Sequence, residues 1–253
     1  MKTSTQLKAL IRNLSRDKGI NAEIILRNFM LERLLERISL SEYRDQFILK
    51  GGMLIAAIVG IDARATMDMD ATIRGFELNE DKLKNIFNEI LSIPVDDGVL
   101  MRLSKVESIR DEAEYPGIRI SIESVLDKTR QTMKVDITTG DKITPRAIEY
   151  KFQLLLEDRT ISVLAYNLET IFVEKLETIL SRGTATTRMR DYYDIYILME
   201  LHESNLNDDV LREAFIKTSI NRGTFENIKN YSSEYIRSIE SSEVLLNLWE
   251  RYR

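Results

Sequence analysis

Apolar residues in this chain recur at two spacings, and the change between them divides it. From residue 4 to residue 38 they fall three or four apart, the period of helices with a buried face. Lys18-Gly19-Ile20-Asn21 interrupts that period, and Asn21 is placed to cap a second helix. In residues 47–59, Gly51-Gly52 heads the apolar run Met53-Leu54-Ile55-Ala56-Ala57-Ile58-Val59. A glycine pair opening a buried helix lets another chain or a phosphate approach the backbone. Residues 65–73 alternate as a strand does, and 79–91 predict an amphipathic helix capped by Asn79. Strand patterns follow at 99–109, 118–126 and 132–138, with Asp127-Lys128-Thr129 as a hairpin turn, and one more at 150–156. From Asn167 onward the period is helical: 167–181, 188–203, 207–218 and 232–250, interrupted at Gly183 and Gly223. This order predicts an α+β fold with a mixed or antiparallel sheet, not alternating βαβ units. A boundary near residue 160 separates residues 1–160 from a helical part, 161–253. No internal repeat or low-complexity segment stands out.

Composition narrows the chemistry. The 253 residues include no cysteine, so disulfides, thiolate metal sites and cysteine nucleophiles are excluded. The single histidine, His202, rules out multi-histidine zinc sites, leaving hard cations and carboxylates. Neither a signal-peptide core nor a membrane-length apolar run is present, so a cytoplasmic protein is expected. Net charge is −5, yet the first forty residues carry eight basic side chains (Lys2, Arg33 and Arg37 among them) against four acidic ones. That makes the N-terminal helices a candidate surface for a nucleic acid.

Two aspartates, Asp68 and Asp70 in Ala65-Thr66-Met67-Asp68-Met69-Asp70, are the most telling feature. On a strand, residues i and i+2 share a face roughly 6–7 Å apart. Carboxylates that close resist joint ionisation unless a cation sits between them. A hard ion such as Mg²⁺ meets that need and brings phosphates with it; the alternative is a solvated acidic strand end. Asp136, in Met133-Lys134-Val135-Asp136-Ile137, adds a third carboxylate if its strand lies beside 65–73. It would then hold a second ion or accept a proton from an attacking hydroxyl. Arg64 and Arg74 flank the pair, either as triphosphate contacts or as ordinary surface arginines.

The helical part carries a second constellation. Lys175 falls inside the stripe of Leu168, Ile171, Phe172, Leu176, Ile179 and Leu180, so it must snorkel out or pair with an anion. That anion is a nucleotide phosphate or a neighbouring acid. Residues 188–203 are apolar almost all round, which buries Asp191 and Asp194. They need Lys175, an arginine or a cation, although Asp191 also suits a helix start. Residues 182–190 hold Arg182, Arg188 and Arg190 and no acid: a grip for an RNA or nucleotide phosphate, or a solvated loop paired with Asp191 and Asp194. Tyr192, Tyr193 and Tyr196 either stack on a base or pack a core. His202 reads as a surface histidine and Trp249 as an anchoring aromatic.

Lys50-Gly51-Gly52-Met53, then Asp68-Met69-Asp70, then Lys134-Val135-Asp136-Ile137, then Glu174-Lys175-Leu176-Glu177, then Arg190-Asp191-Tyr192-Tyr193-Asp194 follow in an order that resembles the AbiEii/AbiGii toxin family. The resemblance covers about residues 40–200. It implies a nucleotidyltransferase, polymerase-β-like mixed-sheet core with N-terminal helices, followed by a C-terminal helical domain completing a cleft. It also implies Mg²⁺-dependent NTP binding, transfer of nucleotides to an RNA 3′ end (tRNA in some members) and a cognate antitoxin. By position, Asp68 and Asp70 would be metal ligands, Lys175 a catalytic residue, and the family's late acid falls on Asp194 with Asp191 as its neighbour, or on Asp191 itself; Asp136 stands beside them as a third metal ligand or as the base. Gly51, Gly52, Arg64, Lys175 and Asp191 would meet the nucleotide. The family's hydroxyl residue after the glycines is Met53 here. Alternatives are a protein or small-molecule acceptor, or nucleotide binding without turnover.

Overall fold

The computed structural model describes residues 4–109 and 117–252; Lys2 of the basic N-terminal set lies outside them. Two compact units are present, Met1–Gly140 with Ile148–Ala165, and Asp141–Ala147 with Tyr166–Arg253.

The first unit begins with α1 (Ser4–Lys18) and α2 (Ala22–Leu40). Asn21 caps α2 by accepting from the Glu23 N–H. Then come β1 (Phe47–Lys50), α3 (Gly51–Val59), β2 (Met69–Ile73) and α4 (Glu80–Ser92), the last capped by Asn79 accepting from the Lys82 N–H. The strands β3 (Val99–Ile109), β4 (Gly117–Leu126), β5 (Thr129–Thr139), β6 (Ile148–Gln153) and β7 (Thr160–Ala165) complete it. All seven form one sheet in the order β3-β4-β5-β2-β1-β7-β6. The sheet is mixed, as the α+β pattern predicts: β2 runs parallel to β5 and β1 to β7, while the other pairs are antiparallel.

Alternation sorts the two faces of this sheet. Ile118, Ile120 and Ile122 of β4, Met133, Val135 and Ile137 of β5, and Met69, Ala71 and Ile73 of β2 are all buried. Leu31 and Leu34 of α2 and Leu83, Phe87 and Ile90 of α4 are buried as well. The intervening residues point to the opposite face, and the candidate site lies there.

Three elements of this unit differ from the sequence expectation. The strand expected over 65–73 starts only at Met69, because the Thr66 hydroxyl donates to the Asp68 carbonyl and turns the chain before it. Asp68 therefore sits at the strand's mouth, exposed, rather than within it. Phe47–Lys50 is a central strand of four residues, too short for periodicity to separate from the helix it feeds, and β7 was likewise not predicted.

In the second unit α5 (Leu168–Arg182) is capped by Asn167, which accepts from the Thr170 N–H. Next come α6 (Met189–His202), α7 (Asp208–Asn221), α8 (Phe225–Glu240) and α9 (Glu243–Tyr252). The single helix expected at 232–250 is thus two. Ser241 closes α8 through N–H and hydroxyl bonds to the Arg237 carbonyl, and the Ser242 hydroxyl accepts the Leu245 N–H to start α9. No helix among the described residues is long and apolar enough to cross a membrane.

Candidate active site

Four charged residues form one row across the sheet. Arg119 on β4 is opposite Asp136 on β5, Asp136 is opposite Asp70 on β2, and Asp70 is opposite Lys50 on β1. Register partners share a face, so the row reads plus, minus, minus, plus. Arg119 grips Asp136 in a bidentate pair, Nε to Oδ1 at 2.8 Å and Nη2 to Oδ2 at 2.7 Å. The hydrogen bonds to Asp136 raise the pKa of the guanidinium further, with the charges of Asp136 and Asp68 adding to the effect. Both oxygens of Asp136 are engaged by that fork, whereas Asp68 is exposed and Asp70 half-buried.

The glycine pair lies against this row. Gly51 has φ +65°, and a Cβ added there would overlap Asp70 Oδ2. Only glycine lets the start of α3 close onto that carboxylate. Lys50, at the N-cap position of α3, makes no capping bond through its side chain, and the helix start presents its positive dipole end. A Cβ on Gly52 would meet Thr66 Oγ1 at 2.8 Å and Arg64 Nη2 at 3.3 Å. Thr66 thus brings a hydroxyl beside the glycine pair, at a place where Met53, buried in the core, offers none. Arg64 is buried and donates to the Ala65 carbonyl, not an exposed arginine, while Arg74 bonds the Asp45 carbonyl beyond the far end of β2.

Among the described residues no three acids or histidines gather closely enough to hold a metal ion by themselves. Mg²⁺, however, characteristically takes one or two carboxylates and completes its shell with phosphate oxygens and water. Asp68 and Asp70 beside the start of α3 fit that requirement. Asp136 fits it only when Arg119 lets go.

In the second unit Lys175 on α5 reaches two acids of α6. Its Nζ lies 2.6 Å from Asp191 Oδ1 and 3.2 Å from Asp194 Oδ2. Asp194 is fully buried and Asp191 nearly so. Arg188 Nε stands 3.3 Å from Asp191 Oδ2. The lysine inside the apolar stripe therefore has acid partners, as the sequence required of it. Tyr192 is half-buried, and burial raises its pKa. Not foreseen was the role of Glu177, fully buried on α5, where Arg222 and the Thr224 hydroxyl hold it. Its only sequence signal is an acid at a core position of the α5 stripe.

Of the basic residues on the N-terminal helices, Arg12, Arg16 and Lys18 are exposed, whereas Arg33 and Arg37 face inward. Arg33 is buried against Glu36 at 3.0 Å and Glu157 at 2.8 Å. Arg37 is buried against Asp97 at 2.7 Å and the Val99 carbonyl at 3.1 Å. These charges are spent inside the fold.

Solved structures share the fold. MenT4, a nucleotidyltransferase toxin from Mycobacterium tuberculosis, superposes with a TM-score of 0.59 at 15% identity, covering 83% of this chain and 68% of that one. A putative nucleotidyltransferase from Helicobacter pylori gives 0.52 at 17% identity, over 91% of this chain and 90% of that chain. JHP933 from the same organism gives 0.50 at 15% identity, over 91% and 99%. No curated protein matches the sequence. Residues 33–253 match the nucleotidyl transferase AbiEii toxin family of type IV toxin–antitoxin systems, and the chain, a nucleotidyltransferase, belongs to that family.

Proposed function

We propose that this nucleotidyltransferase toxin uses Mg²⁺ to transfer nucleotides from an NTP to an RNA 3′ end, with tRNA as the acceptor. The observation that carries the reading is the contact of Asp70 with Gly51, which places a carboxylate against the start of α3. Asp68 and Asp70 would hold the ion, which, when bound, neutralises charge on the phosphates. The N–H groups at Gly51 and Gly52 donate to phosphate oxygens, as a helix start with a close-approach glycine is suited to do. Lys50, next to Asp70 in the row, adds a positive charge on the same face. Asp136 accepts the proton of the attacking hydroxyl once Arg119 has turned toward the incoming phosphates. Asp191 and Asp194 hold Lys175 in place within the helical unit. Catalysis then rests on positioning and charge neutralisation rather than on a covalent intermediate. NTP, Mg²⁺ and tRNA place the activity in the cytoplasm, where the cognate antitoxin opposes it.

The test is labelled-NTP incorporation with total RNA, with and without Mg²⁺. Label in tRNA, lost with chelator and in Asp68→Asn and Asp70→Asn, is the expected outcome. Label in protein instead, or full activity in either variant, overturns the reading.

A further inference from the structure

Three arginines converge on one cavity in the helical unit. A space of about 490 Å³ between the start of α6 and α9 is lined by Arg188, Arg190 and Arg251, with Met189, Leu248 and Tyr252 among its other walls and no acidic residue. Arg188 also leans on the buried Asp191. Arg190 and Arg251 are exposed, and no ion pair holds either among the described residues. Arg190 and Arg251, two like charges in one wall, repel each other unless an anion joins them, and a planar guanidinium matches phosphate with two hydrogen bonds.

A run of aromatic rings starts at Tyr252, in the wall of the same cavity. Tyr196 and Tyr193 of α6 lie 6.4 Å apart, Tyr193 and Tyr252 6.0 Å, and Tyr252 and Trp249 of α9 6.3 Å with nearly parallel planes. Tyr196 and Tyr252, at 54% and 43% exposure, offer open faces. Arginines beside exposed rings form a platform on which bases stack while phosphates are paired, without regard to sequence. A strip of four rings is longer than one base, which favours a strand over a single nucleotide.

We propose that the cavity between α6 and α9 binds the single-stranded 3′ end of the acceptor RNA, its phosphates on Arg188, Arg190 and Arg251 and a base on Tyr252. This rests on the acceptor being RNA. The shared chemistry, a phosphate ester carrying a base, also belongs to free NTP, so the test has two arms. Binding of a fluorescein-labelled single-stranded 12-nucleotide RNA to the full chain is followed by anisotropy without Mg²⁺ or NTP, across a salt series. Binding of a fluorescent NTP analogue with Mg²⁺ is measured in parallel.

The double variant Arg190→Gln/Arg251→Gln should bind the RNA at least tenfold more weakly, and its log–log salt slope should be shallower by about 1.4. Tyr252→Ala should weaken binding several-fold and keep the salt slope. Arg212→Gln, which removes one charge from an exposed position on α7, should match wild type. NTP binding should be unchanged in all of them. Circular dichroism melts confirm folding, with Arg251→Gln alone as the fallback. RNA binding equal to wild type in the double variant overturns the proposal, and so does a loss confined to the NTP arm. A wild-type chain that neither binds nor labels RNA removes the acceptor reading and this inference together. Labelling of RNA by wild type, with unimpaired binding in the double variant, removes this inference alone.

Discussion

Gly51 and Asp70 constrain each other, and the site's geometry begins with that contact. A methyl group at residue 51 would overlap the Asp70 carboxylate and would also require a left-handed backbone. Gly51→Ala should therefore cost about 1–2 kcal/mol and shift Asp70 enough to abolish transfer. Urea denaturation and the incorporation assay check both effects, and unimpaired transfer would show that the contact is not needed. Much of the row was legible in the sequence. Alternation placed Asp70 and Asp136 on a shared face once their strands were neighbours, and the register makes them direct partners. Arg119 was not legible, since an arginine in an alternating strand reads as a solvated side chain. What sets it apart is the long-range pairing of β4 with β5, which no local pattern carries. Thr66 escaped notice for the same reason: it meets Gly52 only through the fold.

At the scale of the element, α2 shows how a charged helix can be core. Its periodicity announced a helix, but its basic residues suggested a surface. The turn between β6 and β7 overturns that: Leu155 donates its N–H to both oxygens of Glu32, and Arg159 pairs with Glu36. Burial is the leading cause that raises the Glu32 pKa to about 8. Glu32 is then protonated in the folded state across a range where the unfolded chain has already lost that proton. Stability from this residue is complete below the unfolded value of 4.5 and is lost as pH rises through about 8. Over that window it should fall by roughly 1 kcal/mol per pH unit. Glu32→Gln, which keeps the shape without the charge, should flatten the dependence and melt higher than wild type at pH 9. Equal slopes in thermal melts from pH 5 to 9 would refute this. On α5 the pattern demanded a partner for Lys175, and the structure supplies Asp191 and Asp194. Removing the cation takes a charged partner from two buried acids, with Asp191 keeping Arg188. Lys175→Met should cost about 3–5 kcal/mol in urea titrations. A cost below 1 kcal/mol would mean that the acids are held without it.

For the whole molecule, the order of periods was enough for the fold class: helices, a run of strands, then helices. The short strands β1 and β7 and the break at Ser241 were settled by pairing and capping that lie beyond periodicity. Charge is the property that links the fold to a ligand at this scale. The chain carries 41 acidic and 36 basic side chains, and many of them neutralise each other in buried or half-buried pairs. Asp68 stands out as an exposed carboxylate two residues from Asp70, next to a helix start. Without a cation the two repel, so Asp68→Asn should melt at or above wild type in chelator. With Mg²⁺ the order should invert. A ligand at a hundred times its dissociation constant adds about 2.7 kcal/mol, which for a chain of this size is a rise of roughly 5–10 °C. Chains built of two units often unfold in more than one step, so the transition must be assigned. The Mg²⁺ shift belongs to the transition that Glu32→Gln also moves, since Glu32, Asp68 and Asp70 share the first unit. Lys175→Met should lower the transition of the second unit and leave the Mg²⁺ response intact. A wild-type melt indifferent to Mg²⁺, or a variant Asp68→Asn that responds as fully as wild type, would remove the carboxylate pair as the ion's seat.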